Sequence, residues 1–132
     1  MITIKEITKS FESRKILKGI NLHIDNGTTM VIMGASGCGK SVLLKLIIGL
    51  LKPDDGEIWI DGKEITGFSE KQMKDVLENI GMVFQSSALF DSLTVGENVG
   101  FVLKRRGKLS KSEVAGIVAE KLEMVGLPGI EN

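Results

Sequence analysis

Gly34-Ala35-Ser36-Gly37-Cys38-Gly39-Lys40-Ser41 is the stretch on which the reading of this chain turns. It fits G-x-x-x-x-G-K-[ST] at every fixed position. Small residues let successive backbone N–H groups turn inward and wrap a phosphate. A helix starting at the end of such a loop aims its positive end at the same anion. The flanks have the required character. Thr29-Met30-Val31-Ile32-Met33 is an almost unbroken apolar run, as expected of a strand buried on both faces of a parallel sheet. From Gly39 to Gly49 the pattern turns helical, with Leu43, Leu44, Ile47 and Ile48 at helix spacing and Gly49 close to a C-cap. The alternative is an ordinary glycine-rich turn between strand and helix.

Upstream, Ile2, Ile4 and Ile7, then Ile20, Leu22 and Ile24, alternate as two strands with one wet face. Asn26-Gly27 marks a turn. Downstream, Lys52-Pro53-Asp54-Asp55-Gly56 is a turn, Glu57-Ile58-Trp59-Ile60 a short strand, and Asp61-Gly62 a hairpin signal. Three helix starts carry capping boxes: Ser69 with Gln72, Thr94 with Glu97, and Ser110 with Glu113. The last of these helices shows Val114, Ile117, Val118, Leu122 and Val125 on one stripe. Ile80-Gly81-Met82-Val83-Phe84 reads as another buried strand. Interleaved strands and helices make the chain an α/β layered domain.

Composition narrows the class. The chain has 132 residues, with 17 basic and 17 acidic side chains. That balance argues against a nucleic-acid partner held by bulk charge. A hydrophobic fraction of 42% excludes a disordered chain. The single cysteine, Cys38, cannot form an internal disulfide, which suits a reducing compartment. No export signal opens the chain. The longest apolar run, Val42 to Leu51, is interrupted by Lys45 and is too short for the ~20 residues that span a bilayer. The 16 glycines exceed the usual share and imply turns or close approach to a ligand.

The phosphate loop alone implies a nucleoside triphosphate. The residues around it resemble a family, the ATP-binding subunits of ABC transporters. Phe11 falls where that family places an aromatic that stacks on adenine. Lys52 to Ile58 with Asp61-Gly62 looks like its antiparallel hairpin. Ile80-Gly81-Met82-Val83-Phe84-Gln85 is similar to the strand entering its Q-loop, with Thr94-Val95-Gly96-Glu97-Asn98-Val99 downstream. The resemblance implies a P-loop NTPase (RecA-like) core with an antiparallel β-subdomain. Residues 1–132 would be the N-terminal part of an ABC-type ATP-binding domain, reaching past the Q-loop.

The resemblance also implies roles. Gly34, Ala35, Ser36, Gly37, Cys38, Gly39, Lys40, Ser41 and Val42 would hold the nucleotide, with Phe11 and, more weakly, Ile16 lining the base pocket. Lys40 would reach the β- and γ-phosphates. Ser41 and Gln85 would meet the Mg²⁺ that accompanies ATP, and Gln85 the attacking water. Val42 stands where many relatives carry a Thr or Ser for the α-phosphate, so only its N–H is left to donate. Gly39 to Lys45 and Phe84 to Ser92 look like the subunits that power Mla/Mce-type phospholipid transport. The implied partners are transmembrane permease subunits near the Q-loop and a second ATP-binding subunit. The implied location is the cytoplasmic face of the membrane, as a peripheral subunit.

Other features have plainer readings. His23 alternates away from Leu22 and Ile24, so it is a surface or packing residue. Lys104, Arg105, Arg106, Lys108 and Lys111 form a basic cluster near a helix end, where dipole contact and solvation are the default. Asp61 belongs to a turn and is not a metal-orienting aspartate. A Leu-Ser-Gly-Gly signature and a second apolar strand ending in Asp-Glu do not occur in these residues. The chain therefore resembles the N-terminal half of a longer subunit, truncated before the signature motif. It would bind nucleotide without efficient hydrolysis. Its core strands would expose apolar edges and the chain would aggregate or melt low. The rival is a stand-alone, non-enzymatic nucleotide-binding module. A small P-loop kinase is disfavoured, since no Arg-rich lid is evident.

Overall fold

The structure is a computed structural model that describes residues 1–84 and 88–132. It divides into two compact units, Met1–Met82 and Val83–Asn132.

In the first unit, strands β1 (Ile2–Phe11) and β2 (Arg14–Ile24) form a long antiparallel hairpin. Both run further than their alternating cores imply, and they meet at a two-residue turn between Phe11 and Arg14. Strand β3 (Asp55–Ile60) pairs antiparallel with the other edge of β1, and the two-residue β4 (Lys63–Glu64) closes the sheet in the order β2-β1-β3-β4. Asp61 and Gly62 both take positive φ, 48° and 79°, as a two-residue hairpin turn of the primed type requires. Asp61 also accepts from the N-terminal amine at 2.6 Å.

Helix α1 (Lys40–Ile47) and helix α2 (Glu70–Leu77) belong to the same unit. Its core joins Ile4, Ile7, Leu17, Ile58 and Ile60 from the sheet to Leu43, Leu46 and Ile47 of α1 and Met73 of α2. Ile4, Ile7, Leu46 and Ile58 are the most completely enclosed. Gly49, at φ 71°, ends α1 in the left-handed conformation expected of the residue after a C-cap.

In the second unit, α3 (Val95–Arg106) packs on α4 (Lys111–Met124). Val114, Val118 and Leu122 are buried there with Leu103 against them. Ile117 is half-buried and Val125 exposed, so the apolar stripe is narrower than the sequence pattern. Gly100 lets the helices approach: a Cβ there would lie 3.2 Å from both Val114 and Val118.

All three sequence capping boxes form. The Glu113 carboxylate accepts from the Ser110 hydroxyl and N–H, which holds its carboxyl below the usual value. Glu57 is lowered by Trp59 Nε1–H and then by Lys5, and Asp54 by Lys9 and then by the Ser10 N–H. Each folded carboxyl binds its proton less tightly than the unfolded one. Their contribution is thus complete above the ordinary carboxylate range and fades as pH falls through it. A melting temperature that is flat from neutral pH to about pH 5 and falls below about pH 4 is expected. A melting temperature rising on acidification would contradict these three arrangements.

Two sequence expectations are corrected. Residues 29–33 and 80–84 are not strands. A strand exists only through its ladder, and a parallel ladder takes its partner from a distant segment. Among the described residues neither run pairs with another. Their side chains are largely in solvent: Val31 is 70% exposed, Met33 86% and Val83 96%.

Candidate functional site

The loop of residues 34–39 leads directly into α1, and two of its glycines carry its shape. Gly37 and Gly39 take φ of 74° and 106°. Gly39 is the N-cap of α1 and is buried against β2. A Cβ there would stand 2.8 Å from Leu17 Cδ2 and 2.9 Å from Ile16 Cγ2. Gly34 is also restricted, since a Cβ would meet Cys38 Sγ at 2.7 Å. Cys38 itself donates its N–H to the Ala35 carbonyl at 3.3 Å.

Lys40 folds back over this loop. Its ammonium donates to the carbonyls of Gly34 and Ala35 at 2.8 and 2.9 Å and lies 3.8 Å from Cys38 Sγ. The positive charge is therefore held inside the curve of the loop by two neutral acceptors. Ser41, next along α1, is exposed, and Val42 is half-buried against the core. Cys38 is exposed.

The N-terminus of α1 differs from those of the other three helices among the described residues. Those are closed by a Ser or Thr side chain and carry a Glu in the first turn. Helix α1 begins at a glycine with no side-chain cap and no acidic residue in its first turn. Its amide donors and the positive end of its dipole thus face no side-chain cap and no carboxylate from the helix's own first turn. Loop, lysine and helix end together favour an anion, and the run of backbone donors suits a phosphate.

The structure joins Ile16 to this site through its contact with Gly39. Phe11 sits on the same hairpin, at the end of β1 and in register with Arg14, and is 43% exposed. Gln85 lies outside the described residues. Among the described residues no three His, Cys, Asp or Glu side chains gather to hold a metal ion. His23 is a surface residue bonded to Thr3 and Asp25.

Sequence reasoning missed two contacts next to the candidate residues. Asp54 binds Lys9 and the Ser10 N–H beside Phe11. Its place in a turn motif carried no sign of that contact. Gly39 was read as part of the phosphate loop, without its packing on β2.

Comparison with known proteins gives a consistent answer. Residues 17–132 match the ABC transporter family. The chain is 45% identical over its whole length to the chloroplastic protein trigalactosyldiacylglycerol 3 of Arabidopsis thaliana, covering 38% of that protein. It is 44% identical over 98% of its length to the probable ribonucleotide transport ATP-binding protein mkl of Mycobacterium leprae, again covering 38%. The chain thus spans well under half the length of these relatives. Among solved structures, the ATP-binding cassette MJ0796, in a dimeric post-hydrolysis state with ADP and Pi, superposes with a TM-score of 0.88. The identity is 34%, and the match covers all of this chain and 60% of that one.

Proposed function

This chain belongs to the ABC transporter family, and on that premise we propose that it is the nucleotide-holding part of a transport ATPase, binding ATP with Mg²⁺ at residues 34–42. The fold is that of an ABC ATPase cassette. The observation that carries the proposal is Lys40, whose ammonium is held within the loop at the uncapped start of α1. A phosphate entering there replaces two neutral carbonyl acceptors with charged oxygens, a stronger pairing.

In this reading the loop amides hold the β-phosphate and Lys40 bridges to the γ-phosphate. Ser41, exposed at the start of α1, would supply a hydroxyl to the Mg²⁺ that accompanies the phosphates. The Val42 N–H faces the α-phosphate. Phe11 stacks on the base with Ile16 beside it, and Gln85 approaches the metal and the attacking water. Residues 1–132 act as the N-terminal part of the ATP-binding domain. A second ATP-binding subunit and transmembrane permease subunits complete the working assembly, at the cytoplasmic face of the membrane. No described helix is long and apolar enough to cross a membrane.

Phospholipid is the proposed cargo. It is supported by the sequences of residues 39–45 and 84–92, and by the lipid in the Arabidopsis relative's name, trigalactosyldiacylglycerol. Other relatives are named for ribonucleotide and Fe(3+) ions. This chain alone would hydrolyse ATP poorly, since it carries neither the Asp-Glu strand end nor the signature sequence, and so lacks most transition-state stabilisation.

Cys38 supplies a direct test, because it is exposed in the loop that would close round the phosphates. Saturating Mg-ATP should slow its alkylation by maleimide severalfold. Equal labelling rates with and without nucleotide would remove the proposed site.

A further inference from the structure

Strand β1 outruns its neighbour. Its pairing with β3 ends at Thr8↔Asp55, yet β1 continues through Ser10 to Phe11. The amides beyond Thr8 on that edge have no β3 carbonyl to reach. Asp54 fills the gap. Its N–H donates to the Thr8 carbonyl at 3.0 Å. One carboxylate oxygen accepts from the Ser10 N–H at 2.6 Å, as a strand carbonyl would, and the other accepts from Lys9 Nζ at 2.7 Å. The Lys9 ammonium in turn lies over the Phe11 ring, 5.7 Å from its centre. Its side chain is only 17% exposed, so the pair is partly shielded from solvent.

The opposite strand of the hairpin is fixed too, by the packing of Ile16 and Leu17 on Gly39 of the phosphate loop. The hairpin tip is thus held on one strand by the loop that precedes α1 and on the other by the turn that follows it.

We propose that Asp54 is a positioning residue for the base of the bound nucleotide: by gripping Lys9 and the Ser10 amide it fixes the end of β1 so that Phe11 presents a stationary ring for stacking. The proposal rests on the reading of Phe11 given above. It deepens that reading by giving the ring a support outside the phosphate loop. A ring on a frayed strand end would pay its ordering entropy at each binding event, whereas a clamped ring has paid it on folding. The lowered carboxyl of Asp54 agrees, since it keeps the clamp charged down to acidic pH.

The test compares two ligands, Mg-ATP and Mg-tripolyphosphate, because the second has no base. Wild type, Phe11→Ala, Asp54→Ala, Asp54→Asn, Lys9→Met and the Phe11→Ala/Asp54→Ala double variant are titrated with each. Phe11→Ala should weaken ATP about tenfold, the usual worth of one base–aromatic stack. Asp54→Ala should weaken ATP about three- to tenfold and leave tripolyphosphate unchanged, within the limit set by the stack itself. The double variant should bind ATP no more weakly than Phe11→Ala alone. Asp54→Asn keeps an acceptor for Ser10 and should lose less than Asp54→Ala.

A general structural role would weaken both ligands equally, and that result overturns the proposal. So does an Asp54→Ala variant with wild-type ATP affinity while Phe11→Ala is impaired; the stacking reading would then survive without its support. Unchanged ATP affinity in Phe11→Ala removes the stacking reading and the proposal with it. If Asp54→Ala does not fold, Asp54→Asn and Lys9→Met decide: selective loss of ATP supports the clamp, and no loss in either overturns it.

Discussion

Replacing Gly56 by alanine is expected to lower the thermal midpoint of the β-sheet unit by about 15 °C, a loss of about 3 kcal/mol. Gly56, the second residue of β3, has φ 97° and lies opposite a bulge in β1 where the register slips between Lys5 and Thr8. An L-residue at such a φ costs about 1–3 kcal/mol by itself. Here the Cβ would also stand 2.5 Å from the Lys5 carbonyl oxygen and 2.6 Å from the Glu6 carbonyl. Those are backbone atoms and cannot step aside as a side chain can. The bulge is itself pinned, since Glu6 takes a positive φ of 49°, donates its N–H to Asn21 at 3.0 Å and accepts from the Asn21 side-chain amide. Gly62 provides the internal control. Its φ is 79° but nothing lies within 4 Å of its missing Cβ. Gly62→Ala should therefore cost only the strain, about 1 kcal/mol. Equal losses at the two positions, read by thermal melting followed in the far ultraviolet, would mean that the β1 contact is not what demands a glycine at 56.

The contrast between those glycines also shows what the sequence could and could not convey. Asp61-Gly62 was legible because its turn is complete within two residues. The capping boxes at Ser69, Thr94 and Ser110 were legible for the same reason: donor and acceptor stand three residues apart. Gly56 was placed in a turn, but its necessity comes from Lys5 and Glu6 on another strand, and no local pattern carries that. Residues 29–33 and 80–84 failed in the opposite direction. Their apolar character signals burial in a sheet, yet the ladder that would make them strands has to come from elsewhere, and no described segment provides it.

The candidate site divides along the same line. The shape of the loop from Gly34 to Ser41 follows from residue type and spacing, because consecutive backbone groups make it; its hold on a nucleotide is the proposal above. Ile16 was assigned by resemblance to the base pocket beside Phe11; the structure places it next to Gly39, which is a statement of packing and not of that role. Asp54 could not be read in advance. It matters only because β1 extends past β3, a difference in strand length that appears once the register is known.

Lys40 is the residue on which nucleotide binding at this loop depends most. In the structure its ammonium is satisfied by two loop carbonyls, so a triphosphate must offer it more than they do. The bonds to the carbonyls already carry the lysine's charge; phosphate oxygens add an opposite charge on the acceptor, and the lysine would meet two phosphates. Lys40→Ala should therefore weaken Mg-ATP binding about 10- to 100-fold, with the fold intact because Lys40 is half-exposed and lies outside the core. The backbone donors of the loop would remain, which is why the loss is finite. Calorimetric titration of Mg-ATP into the wild-type chain and the Lys40→Ala variant reads this directly. Saturable binding by the wild type with a 10- to 100-fold weaker variant is the result expected; identical affinities for the two proteins would contradict the assignment of residues 34–42 as a nucleotide site.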